Sequence, residues 1–284
     1  MNHSAFSLLR CPICRAAGTL SADGRVFRCL GEKPHSYDVA RSGYLNLSRS
    51  QKSGGDSSDA VRARSAFLEK DYYRPLAVHV REILDEIKAE TVIDAGCGEG
   101  YYTNRMAGEG RTVIGFDLSK SAIDHASKQA KKAESTAKIP KSTVLFAVSS
   151  LFELPVADAC ADVVTNLFAP CAESEFSRVL KSGGELIVVG AGENHLMGLK
   201  RVLYETPYPN PGRADLPRNL TLVSRERLTF EARICGQSDI RALFSMTPYY
   251  YRTPREGHEK LAALDALVTE LDFDIYRYRK ETVE

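Results

Sequence analysis

Residues 91–102 read Thr-Val-Ile-Asp-Ala-Gly-Cys-Gly-Glu-Gly-Tyr-Tyr and carry the strongest structural signal in the chain. Their apolar start predicts a buried strand over 91–95, which leads through a turn into a helix over 101–108. The turn contains glycine at alternate positions. Glycine has no Cβ, so these positions tolerate positive φ and let a ligand approach the backbone closely. The segment therefore predicts a nucleotide-binding turn, built on Gly96, Gly98 and Gly100.

Two acidic residues indicate which nucleotide cofactor the turn favours. The glycines follow G-x-G-x-G, not the dinucleotide pattern G-x-G-x-x-G. Asp94, at the end of the strand, would repel a pyrophosphate but suits a ligand with an ammonium group. A second strand over 111–116 ends at Asp117, where a carboxylate can accept both ribose hydroxyls. The combination favours S-adenosylmethionine over NAD and resembles the class I methyltransferases.

Strands and helices alternate along most of the chain, which predicts an α/β fold with a Rossmann-like, mostly parallel sheet. Apolar residues at helical spacing predict helices over 59–70 and 75–88 before the first strand. After the segments above we predict helix 119–133, strands 143–147 and 161–168, helix 172–180, strand 184–190 and helix 194–204. The remainder predicts an extended segment 220–234, helices 238–245 and 258–268, and an antiparallel edge strand 271–279.

Composition restricts the class of protein. With 284 residues, 43% of them hydrophobic, the chain can bury one good-sized core with a small appendage, or form two modest domains. No apolar run approaches the roughly eighteen residues that span a bilayer, so we expect no membrane and a cytoplasmic location. The chain has net charge +1, but residues 1–52 hold eight basic and three acidic side chains. A polyanionic partner would therefore meet the N-terminal segment first.

Four potential metal ligands lie within that basic segment. Cys11-Pro-Ile-Cys14 is followed by Cys29 and then, after five residues, by His35. Three thiolates and one imidazole complete a tetrahedral zinc site, and the metal would organise a segment too short to bury its own core. We predict a zinc-binding module over 1–48, a polar flexible linker over 49–58 and a methyltransferase domain over 59–284.

Other residues near the predicted strand ends are candidates for contact with ligands. Ser150 follows a strand where this fold contacts adenine. Asn166 and Pro170 end the fourth strand, where ligands of open α/β sheets bind, and could position a base. Cys171 follows them, but no basic residue flanks it in the sequence, so we expect a structural thiol and not a nucleophile.

The motifs taken together resemble one family, the 23S rRNA guanine-N1 methyltransferases. The resemblance covers nearly the whole chain and implies zinc at the four ligands above. It also implies cofactor contacts at Tyr73, Gly98, Glu99 and His195, a target guanine in hairpin 35 of 23S rRNA, and a homodimer. The matching motifs are Cys-Pro-Ile-Cys…Cys…His, Tyr44-Leu-Asn-Leu, Tyr73-Arg-Pro-Leu, the glycine turn through Tyr102, Phe168-Ala-Pro-Cys and Asn194-His-Leu-Met.

The expected reaction is methyl transfer from S-adenosylmethionine to N1 of a guanine. This atom lies on the Watson–Crick edge, so the base must be unpaired or flipped before it reacts. Two alternatives remain open from the sequence. A class I enzyme acting on a small molecule would be favoured if Met246-Thr-Pro-Tyr-Tyr-Tyr closed an apolar pocket. A non-enzymatic zinc-ribbon protein with a vestigial cofactor fold would not be expected to retain Asp94, the glycines and Asp117.

Overall fold

The computed structural model describes residues 3–49, 58–135 and 143–282. Most of the predicted linker 49–58 lies outside these residues. The elements of the N-terminal segment are short. In chain order they are α1 (His3–Leu8), β1 (Gly18–Leu20), β2 (Val26–Cys29), β3 (Ser36–Asp38) and β4 (Leu45–Asn46).

Longer helices and strands follow and alternate as predicted. The first group consists of α2 (Ser58–Leu68), α3 (Arg74–Ile87), β5 (Thr91–Ala95), α4 (Tyr101–Arg105), β6 (Thr112–Asp117), α5 (Lys120–Ser135), β7 (Thr143–Val148) and β8 (Ala161–Leu167). The second group consists of α6 (Glu173–Val179), β9 (Leu180–Ala191), α7 (Met197–Leu203), β10 (Thr221–Cys235), α8 (Gln237–Ser245), α9 (Arg255–Ala262) and β11 (Ala266–Arg279).

The strands of the described residues form two sheets. β1, β2 and β3 make a small antiparallel sheet, and the large sheet has the order β10-β11-β9-β8-β5-β6-β7-β4. From β9 to β4 all neighbours are parallel, whereas β11 is antiparallel to both β9 and β10. The predicted fold class, a mostly parallel Rossmann-like sheet with a small N-terminal zinc ribbon, is confirmed.

The C-terminal elements differ from the prediction in two ways. The predicted helix 258–268 ends at Ala262, and β11 begins at Ala266. The segment Leu261 to Leu267 contains strong helix formers, but pairing with β10 and burial of Leu267 and Leu271 outweigh this local preference. β11 is also not an edge strand, because β10 lies outside it, so the prediction of an edge strand over 271–279 was wrong.

The N-terminal segment packs directly on the large sheet. α1 and the ribbon contribute Phe6, Leu9 and Phe27 to the same apolar cluster as Ile93 and Phe116 of the central strands. β4 extends the large sheet by pairing with β7. Arg15 donates hydrogen bonds to the carbonyl oxygens of residues 154 and 156, across the same interface. The ribbon is thus anchored both on the large sheet and on the segment between β7 and β8.

Within the described ranges, no helix combines the length and the apolar character needed to cross a bilayer.

Candidate functional site

The metal ligands predicted from the sequence meet in space. The ligand atoms of Cys11, Cys14, Cys29 and His35 all lie within 4.8 Å of one another. Sγ of Cys14 is 3.6 Å from Sγ of Cys29, and Nδ1 of His35 is 3.5 Å from Sγ of Cys11. Tetrahedral zinc with Zn–S bonds of about 2.3 Å requires sulfur atoms about 3.8 Å apart, so this donor set fits zinc.

Contacts around the cluster favour a thiolate at Cys29 and place a hydroxyl beside the sulfur of Cys11. The amide of His35 donates to Sγ of Cys29 at 3.1 Å and is the main cause that lowers the pKa of this thiol to about 6. The hydroxyl of Tyr37 lies 3.1 Å from Sγ of Cys11. Burial raises the pKa of Tyr37, so its hydroxyl stays protonated and can donate to a metal-bound sulfur. The ribbon would hold zinc in a structural role, because protein donors fill all four positions.

The glycine turn has the backbone geometry of a ligand cradle. Gly96, Gly98 and Gly100 have φ of 88°, 54° and 77°, in the left-handed region that disfavours other residues. A Cβ on Gly96 would come within 2.4 Å of the Cβ of Ala169. By contrast, the nearest atom to a Cβ on Gly98 is Nη2 of Arg64 at 3.6 Å, which leaves room for a ligand above the turn.

Asp117 lies at the strand end that the sequence predicted. It ends β6, and one carboxylate oxygen accepts a hydrogen bond from the amide of Gly98 at 3.1 Å. The other oxygen accepts from the amide of Ser119 at 2.7 Å. These bonds fix the carboxylate beside the turn. Leu118, which sequence reasoning missed, follows Asp117 and is 38% exposed.

Asp94 is turned into the protein instead of toward the turn. Its two oxygens accept hydrogen bonds from the hydroxyls of Thr103 at 2.6 Å and Thr165 at 2.9 Å. Burial raises the pKa of Asp94 to about 6, although both hydroxyls act in the opposite direction. The carboxylate therefore joins β5 to α4 and β8, and its contacts in this structure are internal to the protein.

Tyr73 and His195 form a buried pair beside the turn. Asp272 donates its backbone N–H to Nδ1 of His195 at 3.2 Å, so the proton of the neutral ring is on Nε2. Nε2 lies 3.3 Å from the hydroxyl of Tyr73 and donates to it. Burial lowers the pKa of His195 to about 4, so the ring is neutral near pH 7. With both nitrogens occupied, His195 is poorly placed to remove a proton from a substrate.

Aromatic rings continue from this pair toward the surface. The ring of Phe273 is 4.9 Å from that of His195 and 5.8 Å from that of Phe168. Phe168 is 45% exposed and has φ of 56°, which is rare for an aromatic residue. Tyr102 lies 6.3 Å from Phe168, and its buried hydroxyl has no partner among the described residues. The rings of Tyr102, Phe168 and Phe273 form what we call the aromatic wall. Such a surface can stack a planar base and contact a cation.

Asn166 organises the loop after β8 and does not face a ligand. It is fully buried and donates to the carbonyl oxygens of Ala95 and Pro170, both at 3.1 Å. Its own oxygen accepts from Arg213 at 2.7 Å. Pro170 is exposed at the mouth of the loop. Asn166 thus shapes the 166–170 loop from within the protein.

Arg213 was not identified from the sequence. It belongs to the long segment between α7 and β10 and donates to Asn166, to the carbonyl oxygens of Val189 and Ala169, and to Asp215. No local pattern marks such a residue, because its partners are more than twenty positions away in three of the four contacts.

Ser150 and Cys171 have local structural roles in this state. The hydroxyl of Ser150 accepts from the amide of Phe152 at 3.2 Å, which closes the turn after β7. Burial raises the pKa of Cys171 to about 11 even though Arg213 lies near it in space. The thiol is protonated at neutral pH, as expected for a structural cysteine.

Known proteins resemble the chain over both parts. Residues 86–210 match a family model described as a methyltransferase domain, and residues 9–52 match a zinc-ribbon family described as "RlmA, N-terminal".

YxjB of Bacillus subtilis (strain 168), provisionally named a 23S rRNA (guanine-N(1)-)-methyltransferase, is 30% identical over 284 residues, 95% of this chain and 96% of that protein. The 23S rRNA (guanine(748)-N(1))-methyltransferase of Streptomyces fradiae is 30% identical over 283 residues, 94% of each chain. A solved geranyl diphosphate methyltransferase in complex with S-adenosylmethionine aligns with a TM-score of 0.46 and 15% identity, covering 80% of this chain and 92% of that one.

Proposed function

Because the chain belongs to the family of 23S rRNA (guanine-N1)-methyltransferases, we propose that it methylates N1 of a guanine in the hairpin-35 region of 23S rRNA. The proposal is supported by a zinc cluster and a glycine turn in one chain, which is matched over nearly its full length by relatives named 23S rRNA (guanine-N1)-methyltransferases. S-adenosylmethionine is the methyl donor, and zinc is the metal of the ribbon.

The residues around the turn divide the work of binding the cofactor. Asp117 would accept the ribose hydroxyls, while the positive-φ backbone at Gly98 lets the cofactor lie close to the chain. Tyr73, Glu99 and His195 would line the methionine end. S-adenosylmethionine supplies a methyl group already activated on a sulfonium, so the protein contributes mainly alignment.

The target base would enter beside the aromatic wall. Phe168 exposes its ring at the carboxyl end of β8, where open α/β sheets bind their ligands. A guanine taken out of its helix could stack there with N1 directed toward the methyl group. Asn166 and Arg213 hold the backbone of this loop, including Pro170, in one shape. They would thus position the base without touching it.

The N-terminal module, residues 1–48, would bind the RNA hairpin. Its exposed basic side chains include Arg25, Arg28, Lys33 and Arg41, which suit phosphate contacts. Because the ribbon is anchored on residues 154–156, RNA held there would stay at a fixed distance from the methyl-transfer loop. Methylation of ribosomal RNA would place the protein in the cytoplasm. The homodimer implied by the family stays a prediction, which sedimentation of the purified protein would test.

The small-molecule alternative depended on an apolar pocket formed by residues 246–251. In the structure, Tyr249 packs against Tyr204 and Phe244 in the main core, whereas Tyr251 is 90% exposed. The segment therefore contributes to the core and to the surface, and this arrangement gives no support to the alternative.

A primer-extension assay tests the proposal. Purified protein is incubated with labelled S-adenosylmethionine and unmodified 23S rRNA fragments, and reverse-transcription stops are mapped, because an N1 methyl group blocks base pairing. We expect one discrete stop in hairpin 35 that disappears in an Asp117→Ala variant. A stop elsewhere in 23S rRNA would overturn the assignment of the hairpin. Cofactor binding without any RNA methylation would overturn the substrate class.

A further inference from the structure

Residues 192–195 follow β9 and form a loop that carries His195. On one side this loop is held by β11. The amide of Gly192 donates to the carbonyl oxygen of Asp272 at 2.8 Å, and the amide of Asn194 donates to the carboxylate of Asp272, also at 2.8 Å. The backbone N–H of Asp272 donates in turn to the ring of His195 at 3.2 Å. One residue of β11 therefore satisfies two N–H groups of the loop, whereas carbonyl oxygens of the loop are bound by a different segment.

Asn210 binds these carbonyl oxygens. It lies in the long segment between α7 and β10, and its Nδ2 donates to the carbonyl oxygen of Gly192 at 3.1 Å and to that of His195 at 2.8 Å. Its backbone N–H donates to the carbonyl oxygen of Glu193 at 2.8 Å. A single asparagine thus contacts both ends and the middle of the 192–195 loop, which links the position of His195 to that of Asn210.

Lys200 sets the direction of the Asn210 amide. This lysine belongs to α7 and is only 1% exposed. Its Nζ donates to Oδ1 of Asn210 at 2.7 Å and to the carbonyl oxygen of Tyr208 at 2.9 Å. Because an ammonium group only donates hydrogen bonds, the oxygen of the Asn210 amide faces Lys200, and the NH2 group is left to donate to the loop. An amine as deeply buried as this one requires oxygen partners, and Asn210 supplies one of them.

We propose that Asn210 is a positioning residue for the cofactor: its amide, oriented by Lys200, holds the 192–195 loop in the shape that brings His195 to the methionine part of S-adenosylmethionine. This inference rests on the cofactor contact proposed above for His195. Nε2 of His195 also donates to the hydroxyl of Tyr73 at 3.3 Å, so a shift of the loop would displace both residues. Asn210 would act through them and would not itself touch the cofactor.

Two ligands that differ in the methionine part test the proposal. Isothermal titration calorimetry gives the Kd of S-adenosylhomocysteine and of 5′-methylthioadenosine, which lacks the amino-acid part, for the full-length protein and for Asn210→Asp. Aspartate has the size of asparagine and keeps an oxygen for Lys200, but it loses the NH2 donors to the loop. We expect the variant to bind S-adenosylhomocysteine roughly 5- to 30-fold more weakly, as for the loss of one or two hydrogen bonds. Its Kd for 5′-methylthioadenosine should be nearly unchanged.

Asn219→Asp is the matched control, because it makes the same chemical change at an exposed position. It should leave both dissociation constants unchanged. Asn210→Ser removes the contacts of the amide without adding a charge, so it should show the same selective loss and serves if the aspartate variant does not fold. Equal weakening of both ligands, or no weakening of either, would overturn the proposal.

A double-mutant cycle with His195 separates positioning from a general loss of structure. If Asn210 acts through His195, Asn210→Asp should weaken the binding of S-adenosylhomocysteine little further once His195→Ala is present. Additive effects of the two substitutions would overturn the proposal. The titrations read binding of the cofactor product, so they do not depend on whether rRNA is the substrate. A wild-type protein that bound neither ligand would overturn the cofactor assignment itself, and this inference with it.

Discussion

The hydroxyl of Tyr73 accepts a hydrogen bond from Nε2 of His195 at 3.3 Å, across 122 positions of sequence. Tyr73 precedes α3 and His195 lies between β9 and α7, so this bond connects the helical layer to the carboxyl end of the sheet. Both residues are buried, and the ring of His195 is held on its other side by the backbone of Asp272. Tyr73 and His195 therefore hold each other in fixed positions at the site.

Removing the hydroxyl in Tyr73→Phe should leave Nε2–H of His195 buried without a partner. We expect a loss of about 1–3 kcal/mol in the free energy of unfolding, and weaker binding of S-adenosylmethionine. Urea denaturation and calorimetry measure the two effects. Tyr251→Phe, at a 90% exposed position, should change neither. Equal stability of Tyr73→Phe and wild type would contradict the hydrogen bond.

Asp94 should make the protein less stable as the pH rises through its folded-state pKa. This pKa is about 6, above the ordinary value of 3.8, so the folded state binds more protons than the unfolded state between these values. The free energy of unfolding contributed by Asp94 therefore falls as the pH rises. In Asp94→Asn this contribution is absent, and the stability difference, variant minus wild type, should rise by about 1 kcal/mol from pH 5 to pH 8.

The Asp94 experiment compares urea denaturation curves at several pH values. The pKa of His195 is lowered to about 4, so its contribution to the stability of the folded state decreases as the pH falls below 6.5. This contribution is the same in wild type and in Asp94→Asn, so it cancels in the stability difference. Asn219→Ala, which removes no titratable group at an exposed position, is the control and should give a difference independent of pH. A pH-independent difference for Asp94→Asn would show that the carboxyl is not perturbed.

Replacing one thiolate should abolish stoichiometric zinc binding. Cys14→Ser leaves three of the four donors and should release the metal, which a colorimetric chelator detects. Cys235 is exposed and distant in sequence from the cluster, so Cys235→Ser should retain full zinc content. If Cys14→Ser kept its zinc, the assignment of this cysteine as a ligand would be wrong.

Shortening Asn166 should affect turnover more than cofactor binding. Asn166→Ala leaves the carbonyl oxygens of Ala95 and Pro170 and one donor of Arg213 without their partner, so the loop can shift. A displacement of about 1 Å can cost on the order of 100-fold in rate, and we expect kcat to fall by up to this factor. The Kd of S-adenosylmethionine should change little, as should both quantities in Asn219→Ala at an exposed position. A loss confined to cofactor affinity would contradict the role of the loop.

Reversing a charge on the ribbon should weaken RNA binding alone. Arg25 is exposed, and Arg25→Glu should remove a phosphate contact. The logarithm of the RNA association constant falls with the logarithm of the salt concentration, and the magnitude of this slope should decrease by about one. Affinity for S-adenosylmethionine should be unchanged. Arg241→Glu, an exposed arginine on α8, makes the same charge change away from the ribbon. Equal loss of RNA and cofactor binding in Arg25→Glu would contradict the separation of the two roles.

Local patterns in the sequence were sufficient to predict the turn, the acidic residue after the second strand and the four metal ligands. Each of these features can be recognised from residues that lie close together in the sequence, or from a residue type that few others can replace, such as glycine at 96 or cysteine at 11. Arg213 could not be found this way, because most of its contacts are with distant segments of the chain. The strand over Ala266–Arg279 was misplaced for the same reason: its partners, β9 and β10, determine its position.

The short strand β4 has a consequence for how the protein is made. Leu45 and Asn46 lie beside Ala147 and Val148, and without them the outer edge of β7 would present unpaired backbone groups to solvent. A fragment lacking the first 48 residues would therefore expose an edge strand, which favours aggregation. During synthesis the ribbon leaves the ribosome first. Residues 154–156, which accept hydrogen bonds from Arg15 of the ribbon, follow about a hundred residues later. Separating the N-terminal segment from the methyltransferase domain would therefore make that domain less soluble.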